Sequence, residues 1–315
     1  MRDLITGGAG FIGSHLAEYL LARGQQVTVI DNLSTGRFEN IAHLEGTPGF
    51  RYAIEDIRHA AVMDRLVSEC DVIYHLAAAV GVFSIVHSPI DTLEINVGGT
   101  RNLIKAMQLQ PQPPKMLFAS SLHIYGRTQD QRPPRTVDDP PQPIEHYAKH
   151  KVECEKMVQE SGLVWSIFRL GAALPLRLIL DTGMFDVPLN NRIEFVHSRD
   201  VALAIANAME NECVWGRIWL IGGGPRCQLY QRDLVASVLE AVGVGMLPEK
   251  AFTNIPFPTD WLDTTESQKV LNFQRHTLQD YLQDIKNLLG FRIHLVRLLR
   301  PIIRLWLLSK APEAN

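Results

Sequence analysis

Tyr147 and Lys151 are the residues of this chain whose types and spacing best predict acid–base chemistry. The segment after them, residues 152–158, has a helical pattern, so we expect the two side chains on one face of a helix, one turn apart. A phenol in water titrates at about pH 10, and a neighbouring cation lowers that pKa because it favours the phenolate. The spacing Tyr-x-x-x-Lys therefore predicts a tyrosine that exchanges protons near neutral pH.

A glycine-rich segment near the start of the chain has the pattern of a phosphate-binding turn. Gly7, Gly10 and Gly13 follow a short strand pattern and open a helical one. At this spacing the first glycine permits a tight turn, the second lets the backbone approach a pyrophosphate, and the third lets helix and strand pack closely. The next strand pattern ends at Asp31, 18 residues after Gly13, where a carboxylate can bind a ribose diol. The segment therefore predicts a dinucleotide site.

Composition and charge exclude several classes of protein. The chain has 315 residues and a formal net charge of −3, so no overall field favours nucleic acid. Its four cysteines are scattered without paired spacing, which predicts neither a metal site nor a disulfide framework. We find no apolar run long enough to span a membrane and no signal peptide pattern, because the glycine motif begins within six residues of Met1. We therefore expect a cytoplasmic protein.

Strand and helix patterns alternate as far as Ile221, which predicts an α/β fold. We expect a Rossmann, doubly wound parallel sheet with a small discontinuous C-terminal substrate lobe. Residues 1–169 and 191–221 are assigned to the NAD-type dinucleotide-binding domain, residues 170–190 and 222–289 to the lobe, and residues 290–315 to a basic amphipathic tail. Ligands of such sheets bind at the carboxyl ends of the strands, where Asp31 and Ser121 fall.

Together these motifs resemble the extended short-chain dehydrogenase/reductase superfamily, in its NAD-dependent epimerase/dehydratase branch, and within it the UDP-glucose 4-epimerases. The resemblance covers residues 4 to 289. The matching segments are Thr6–Gly13, Asp31–Arg37, Asp56-Ile57, His75–Ala78, Asn96, Ser120-Ser121 ahead of Tyr125-Gly126, Tyr147–Lys151, and Phe195–His197 with Asp200.

The resemblance implies NAD as the cofactor and hydride transfer between a carbinol carbon and the nicotinamide ring. It implies three catalytic residues: Ser121 hydrogen-bonds the reacting oxygen, Tyr147 moves the proton, and Lys151 binds the nicotinamide ribose and lowers the tyrosine pKa. The implied cofactor-binding residues are Gly7, Gly10, Phe11, Ile12, Gly13, Asp31, Asn32, Asp56, Ile57, Leu76, Ala77, Ala78, Asn96, Tyr147 and Lys151. Substrate contacts are expected from Val80, Ser121, His123 and Arg192, and no metal is expected.

The chain departs from the family's patterns at positions that concern the substrate. The 4,6-dehydratases of the family carry an Asp-Glu pair where this chain has Leu122 and His123. The UDP-galactose 4-epimerases carry an arginine where this chain has Ile193, with Arg192 one step away. We therefore predict that the protein does not eliminate water, and the identity of the sugar stays open.

Three interpretations of the function remain. The first is a nucleotide-sugar epimerase, in which bound NAD takes a hydride from a sugar carbinol and returns it to the other face. The second is an NAD(P)-dependent dehydrogenase or reductase of a sterol-like or other apolar secondary alcohol, similar to 3-beta-hydroxysteroid dehydrogenases. The short 170–190 segment and the apolar tail favour this second interpretation. The third is a non-catalytic NAD-binding scaffold, which the intact Ser121, Tyr147 and Lys151 disfavour.

The tail has an amphipathic pattern. On a helix, Arg297, Arg300 and Arg304 share one side, apolar residues and Trp306 cover the rest, and Pro301 is expected to kink the helix. One hypothesis is peripheral contact of residues 290–310 with the inner face of a membrane. The other is that the helix folds back on the enzyme or pairs with another subunit. As partners we expect a small-molecule substrate and, in a homodimer, a second copy of the chain.

Overall fold

The computed structural model of the protein describes residues 1–79, 89–176 and 182–311. Its main feature is a seven-stranded parallel sheet with the strand order β3-β2-β1-β4-β5-β6-β9. The strands are β1 (Arg2–Thr6), β2 (Gln26–Asp31), β3 (Phe50–Ile54), β4 (Val72–His75), β5 (Lys115–Ser121), β6 (Trp165–Leu170) and β9 (Arg217–Ile221). A parallel order that reverses between β1 and β4 is that of a doubly wound sheet, so the predicted fold class is confirmed.

Successive residues of a strand point to opposite sides of a sheet, so apolar side chains on both faces need covering. Helices pack on both faces of this sheet and cover them. Leu4 of β1 packs in one core cluster and Ile5 in the other. The α-helices within the residues that the structure describes are α1 (Gly13–Ala22), α2 (Ala60–Ser68), α3 (Pro89–Leu93), α4 (Gly99–Gln108), α5 (His146–Gln159), α6 (Ser198–Ala208), α7 (Gln231–Ala241), α8 (Thr265–Leu271), α9 (Leu278–Leu289), α10 (Arg292–Leu298) and α11 (Arg300–Leu308). Helices α1 and α6 contribute to the cluster of Ile5, and α2, α4 and α5 contribute to that of Leu4.

The sequence pattern of residues 89–107 predicts one long helix, which is interrupted in the structure. A π-helical turn, Glu94–Gly98, separates α3 from α4. Such a turn contains one more residue than an α-helical turn and therefore changes the direction in which its side chains point. The residue that the turn presents to the sheet edge is Asn96, which is 3% exposed.

A second sheet lies in the C-terminal lobe. Its strands are β7 (Ala172–Ala173), β8 (Arg192–Val196) and β10 (Gln228–Tyr230), in the order β10-β8-β7. Both β8 and β9 fall within residues 191–221, but β8 belongs to this second sheet and β9 to the large one, and the division into domains stays a prediction. The buried carboxylate of Glu194 in β8 accepts hydrogen bonds from the backbone N–H groups of Gly224 and Leu262 at 3.0 and 2.7 Å. Those donors belong to the lobe, and a buried carboxylate without them would be costly.

The tail is part of the lobe rather than a separate segment. Leu307 is fully buried in the same core cluster as α7 and α9, and Ile293, Val296 and Ile303 pack against it. The predicted kink is confirmed, because the helix divides at Leu299 into α10 and α11. No helix in the described ranges is both long enough and apolar enough to cross a membrane.

Candidate active site

A cavity of about 1590 Å³ lies at the carboxyl ends of the central strands and extends into the lobe. Most of the predicted site residues line it: Gly7, Gly10, Phe11, Ile12, Gly13, Asp31, Asn32, Asp56, Ile57, Leu76, Ala77, Ala78, Ser121, His123, Tyr147 and Lys151. Asn96 and Arg192 do not line it, and Val80 lies outside the described residues. The sequence motifs thus converge on one place, which also reaches lobe residues that the motifs did not include.

The glycine-rich turn has the close packing that the sequence predicted. Gly7 has φ +71°, and a Cβ added there would lie 2.8 Å from the Cα of Ala77. A Cβ at Gly13 would lie 2.5 Å from the carbonyl oxygen of Gly7. A side chain at either position would therefore displace backbone of the turn at the N-terminus of α1, where N–H groups can bind a pyrophosphate.

The acidic residues at the ends of β2 and β3 are held in fixed orientations. The carboxylate of Asp31 accepts hydrogen bonds from the N–H groups of Ala9 and Leu33 at 3.0 and 2.8 Å. Asp56 forms an ion pair with Arg58 at 2.8 Å and accepts a hydrogen bond from Asn32. Arg58 holds the pKa of Asp56 well below its usual range. Both groups are thus presented as oriented acceptors for hydroxyl or amino donors of a nucleoside.

Asn96 binds the backbone of the segment after β4, and its predicted contact with the cofactor stays a prediction. Its side-chain oxygen accepts from the N–H of Ala79 at 2.7 Å, and its amide nitrogen donates to the Ala79 carbonyl at 3.1 Å. This double hydrogen bond, made from the π-helical turn, fixes the segment that follows β4. Because Ala77 and Ala78 of that segment line the cavity, Asn96 positions the cavity wall.

A buried chain of hydrogen bonds connects the π-helical turn to the glycine-rich turn. Thr100 donates to the carbonyl of Asn96 at 2.6 Å, so its oxygen accepts from Nε2 of His75 at 2.9 Å. Nδ1 of His75 must then accept from the hydroxyl of Thr6, at 2.7 Å. Burial lowers the pKa of His75 to about 3, so the ring is neutral and its tautomer is fixed by these neighbours.

The three predicted catalytic residues lie together where β5 meets α5. Lys151 donates to the Ala119 carbonyl at 2.6 Å, and its Nζ lies 5.7 Å from the centre of the Tyr147 ring. Ser121, Tyr147 and Lys151 all line the cavity. Within the protein itself, burial raises the pKa of Tyr147 above its usual value, and the nearby Ser121 side chain opposes that rise. Desolvation therefore has the largest effect on the Tyr147 pKa in the protein itself, and the lowering of this pKa by Lys151 stays a prediction.

His123 stands beside the tyrosine and belongs to a polar pair. Its Nδ1 lies 3.3 Å from a carboxylate oxygen of Glu145, and its ring meets that of Tyr147 edge to face at 6.1 Å. Its backbone N–H donates to the Ser121 hydroxyl oxygen at 3.2 Å. A histidine oriented by a carboxylate can serve as a general acid or base. Glu145 was not singled out in the sequence, although its position two residues before Tyr147 was a signal for it.

Arg192, the predicted substrate contact, is engaged elsewhere. Its guanidinium forms an ion pair with Asp260 at 2.6 Å and donates to the carbonyls of Thr128 and Gln129 at 2.7 and 3.1 Å. These bonds connect β8 to residues 128–129, in the loop that follows β5. The placement of Arg192 therefore does not agree with the prediction that it faces the substrate. The neighbouring Ile193 lines the cavity instead.

The lobe half of the cavity is largely apolar. It is lined by side chains of α7, α9 and the segment after β7, among them Leu174, Leu176, Met184, Leu234, Leu239 and Ile285. Among the described lining residues of this half, Arg292 is the one cation, and Gln231 and Thr259 supply neutral polar groups. Sequence patterns did not find these residues because their apolar helical spacing is the same as that of an ordinary core.

Comparison with known proteins gives a consistent result. Residues 4–172 match the model of the NAD dependent epimerase/dehydratase family. UDP-N-acetyl-alpha-D-glucosaminuronate decarboxylase of Bacillus cytotoxicus is 42% identical over 139 residues, which are 44% of this chain and 41% of the relative. UDP-glucuronic acid decarboxylase 1 of Danio rerio is 28% identical over 303 residues, which are 93% of this chain and 62% of the relative. The chain thus spans less than two thirds of the length of either relative.

Solved structures agree with this result over most of the chain. UDP-glucose 4-epimerase of Thermus thermophilus, in complex with NAD, is 27% identical with a TM-score of 0.76, covering 92% of this chain and 100% of that one. A double mutant of dTDP-glucose 4,6-dehydratase from Streptomyces venezuelae, with NAD bound, is 25% identical with a TM-score of 0.78, covering 94% and 98%. The cradle at Gly7 and Gly13 and the oriented carboxylate of Asp31 fit the same cofactor. More than half of the chain matches the family model and the site is of the corresponding kind, so the protein belongs to the NAD-dependent epimerase/dehydratase family.

Proposed function

We propose that this protein is an NAD-dependent nucleotide-sugar epimerase that works by transient oxidation of a sugar carbinol. The observation that carries the proposal is that Ser121, Tyr147 and Lys151 line the same cavity as the glycine-rich turn and Asp31, with Nζ of Lys151 5.7 Å from the centre of the Tyr147 ring. The relatives and neighbours named above are nucleotide-sugar enzymes, which supports this substrate class.

The chain's own residues supply binding and proton transfer. The turn at Gly7 and Gly13 would hold the pyrophosphate, Asp31 the adenosine ribose, and Lys151 the nicotinamide ribose. Bound NAD supplies a hydride acceptor and, in its oxidised form, a positive charge that favours the phenolate of Tyr147. Tyr147 accepts the proton of the sugar hydroxyl as the hydride leaves its carbon, and it returns that proton when the hydride comes back to the other face. Ser121 stabilises the oxygen throughout by hydrogen bonding.

The test is a substrate screen that follows two products at once. The protein is incubated with UDP-glucose, UDP-glucuronic acid and their GDP- and dTDP-linked counterparts, while NMR detects epimers and absorbance detects free NADH. We expect an epimer without net NADH, and no epimer from a Tyr147→Phe variant. If UDP-glucuronic acid instead lost carbon dioxide, the reaction would be a decarboxylation, as named for two relatives, and the proposed epimerisation would be refuted.

A second candidate function is favoured by the apolar lobe half of the cavity. A diphosphate needs cations or N–H donors, and among the described lining residues there Arg292 is the one basic side chain. A dehydrogenase of an apolar secondary alcohol would need no such group. It would release NADH in proportion to the ketone formed, so net NADH with a sterol-like alcohol and no reaction with any nucleotide sugar would favour this candidate.

A further inference from the structure

The two C-terminal helices, α10 and α11, have two apolar faces rather than one. The inner face packs in the core of the lobe, where Leu307 is fully buried. The outer face, as we call it, consists of Phe291, Leu295, Leu298, Leu299, Ile302, Leu305 and Trp306, all exposed. These positions recur at three- and four-residue intervals, so they form one continuous stripe along both helices. Phe291, Leu298 and Leu305 are 75%, 76% and 71% exposed.

The arginines of these helices lie between the two faces, beside α7. Arg304 donates to the carbonyls of Val244, Gly245 and Met246 at 3.1, 3.0 and 2.7 Å, just after α7 ends. Arg297 lies so close to Gly243 that a Cβ added there would be 2.9 Å from its Cγ. The basic side of the tail therefore holds the helices on the lobe, and it leaves the apolar outer face toward solvent.

Charge distinguishes the occupants that could cover this face. No acidic residue occurs from Gly290 to Ala311, whereas Arg292, Arg297, Arg300 and Lys310 are all exposed. Two copies of the outer face packed together would bring these cations near each other, with no carboxylate between Gly290 and Ala311 of either copy to pair with them. A partner with a negatively charged surface and an apolar interior would complement both the exposed cations and the apolar outer face.

We propose that the outer face of α10 and α11 lies in the headgroup region of an anionic lipid bilayer. The apolar stripe would enter the boundary of the acyl chains, Trp306 would sit at the level of the headgroups, and the exposed cations at the two ends of the stripe, Arg292 and Lys310, would reach lipid phosphates. The helices lie along the surface of the lobe, so the protein attaches to one side of the bilayer. This inference rests on the tail alone and does not depend on the substrate of the active site.

The test is flotation of the full-length protein with vesicles of phosphatidylcholine, with and without phosphatidylglycerol. We expect binding to the anionic vesicles that weakens as salt is added. A triple variant, Phe291→Ser, Leu298→Ser and Leu305→Ser, should bind at least about tenfold more weakly, because three large apolar side chains no longer leave water. Since these side chains are exposed, the variant should keep the thermal stability and NAD affinity of the wild-type protein.

The control is an equal loss of exposed apolar surface elsewhere. Ile90, Leu109 and Ile255 are 74%, 75% and 59% exposed and lie outside the tail, and a variant with serine at all three should bind vesicles as the wild type does. Absence of binding to anionic vesicles would overturn the proposal, and so would equal binding by the two triple variants. A wild-type dimer that becomes a monomer only in the tail variant, without vesicle binding by either, would assign the outer face to a second copy instead.

Discussion

Replacing Lys151 by methionine should abolish catalysis and change the pH dependence of stability in a defined direction. Burial lowers the pKa of Lys151 from 10.5 to about 8. The folded protein therefore binds fewer protons than the unfolded chain between those two values, and the free energy of unfolding rises with pH across that window. Below about pH 8 the fold bears the whole cost of a buried ammonium, which is about 3 kcal/mol at about 1.4 kcal/mol per pKa unit.

Methionine removes this cost but also removes favourable contacts. The ammonium donates to the Ala119 carbonyl at 2.6 Å and lies 4.7 Å from the centre of the Phe118 ring. Contacts that favour the ammonium are already included in the net cost given by the pKa shift, so the cofactor-free variant should be more stable than the wild type near pH 7, by at most about 3 kcal/mol. As pH rises to about 10.5, the difference should move by about 3 kcal/mol in favour of the wild type.

The assay is urea denaturation of the cofactor-free proteins at several pH values within this window. Lys156→Met is the matched control, because Lys156 lies on the same helix with its side chain 71% exposed. The difference between the control and the wild type should not vary with pH. A flat difference for Lys151→Met as well would refute the assignment of a desolvated ammonium to this position.

Three further predictions concern the reaction. Asp31 should make NAD bind at least about tenfold more tightly than NADP, because its carboxylate repels a 2′-phosphate; equal affinities in a titration of both cofactors would argue against that role. Tyr147→Phe should reduce turnover by about 100-fold or more while NAD affinity changes little, and substantial residual activity would point to His123 as the proton carrier. With dTDP-glucose or GDP-mannose, mass spectrometry should show no loss of water, since Leu122 cannot donate a proton; a 4-keto-6-deoxy product would contradict this.

The parts of the fold that follow from local pattern were predictable. The glycine-rich turn, Asp31 and the Tyr147–Lys151 pair lie on elements whose periodicity is set by burial against a parallel sheet. What local pattern did not show depended on partners distant in sequence. β8 has the apolar pattern of a sheet strand, but the donors that satisfy Glu194 are 30 and 68 residues away, in the lobe.

Side-chain direction was the other limit. Arg192 and Asn96 are at positions where polar side chains suit a ligand, and only the surrounding structure shows that both bind protein groups. Arg192 is held by Asp260, 68 residues later, and Asn96 is turned by a π-helical segment that a single-sequence pattern does not distinguish from an α-helix. The pKa of Tyr147 likewise depends on how much protein covers the ring, which spacing cannot give.

The hydrogen-bond chain from Thr6 through His75 to Thr100 has a consequence for how the cofactor is bound. It connects the turn under the pyrophosphate to the π-helical turn that holds Ala79, so the two walls of the site belong to one rigid unit. The conformational entropy of ordering those walls is therefore lost when the chain folds, and little of it remains to be lost when the ligand arrives. In this hydrogen-bond chain the hydroxyls of Thr6 and Thr100 each donate to one fixed acceptor. A valine at either position would break the chain at His75 and would therefore loosen both ends of the dinucleotide site together.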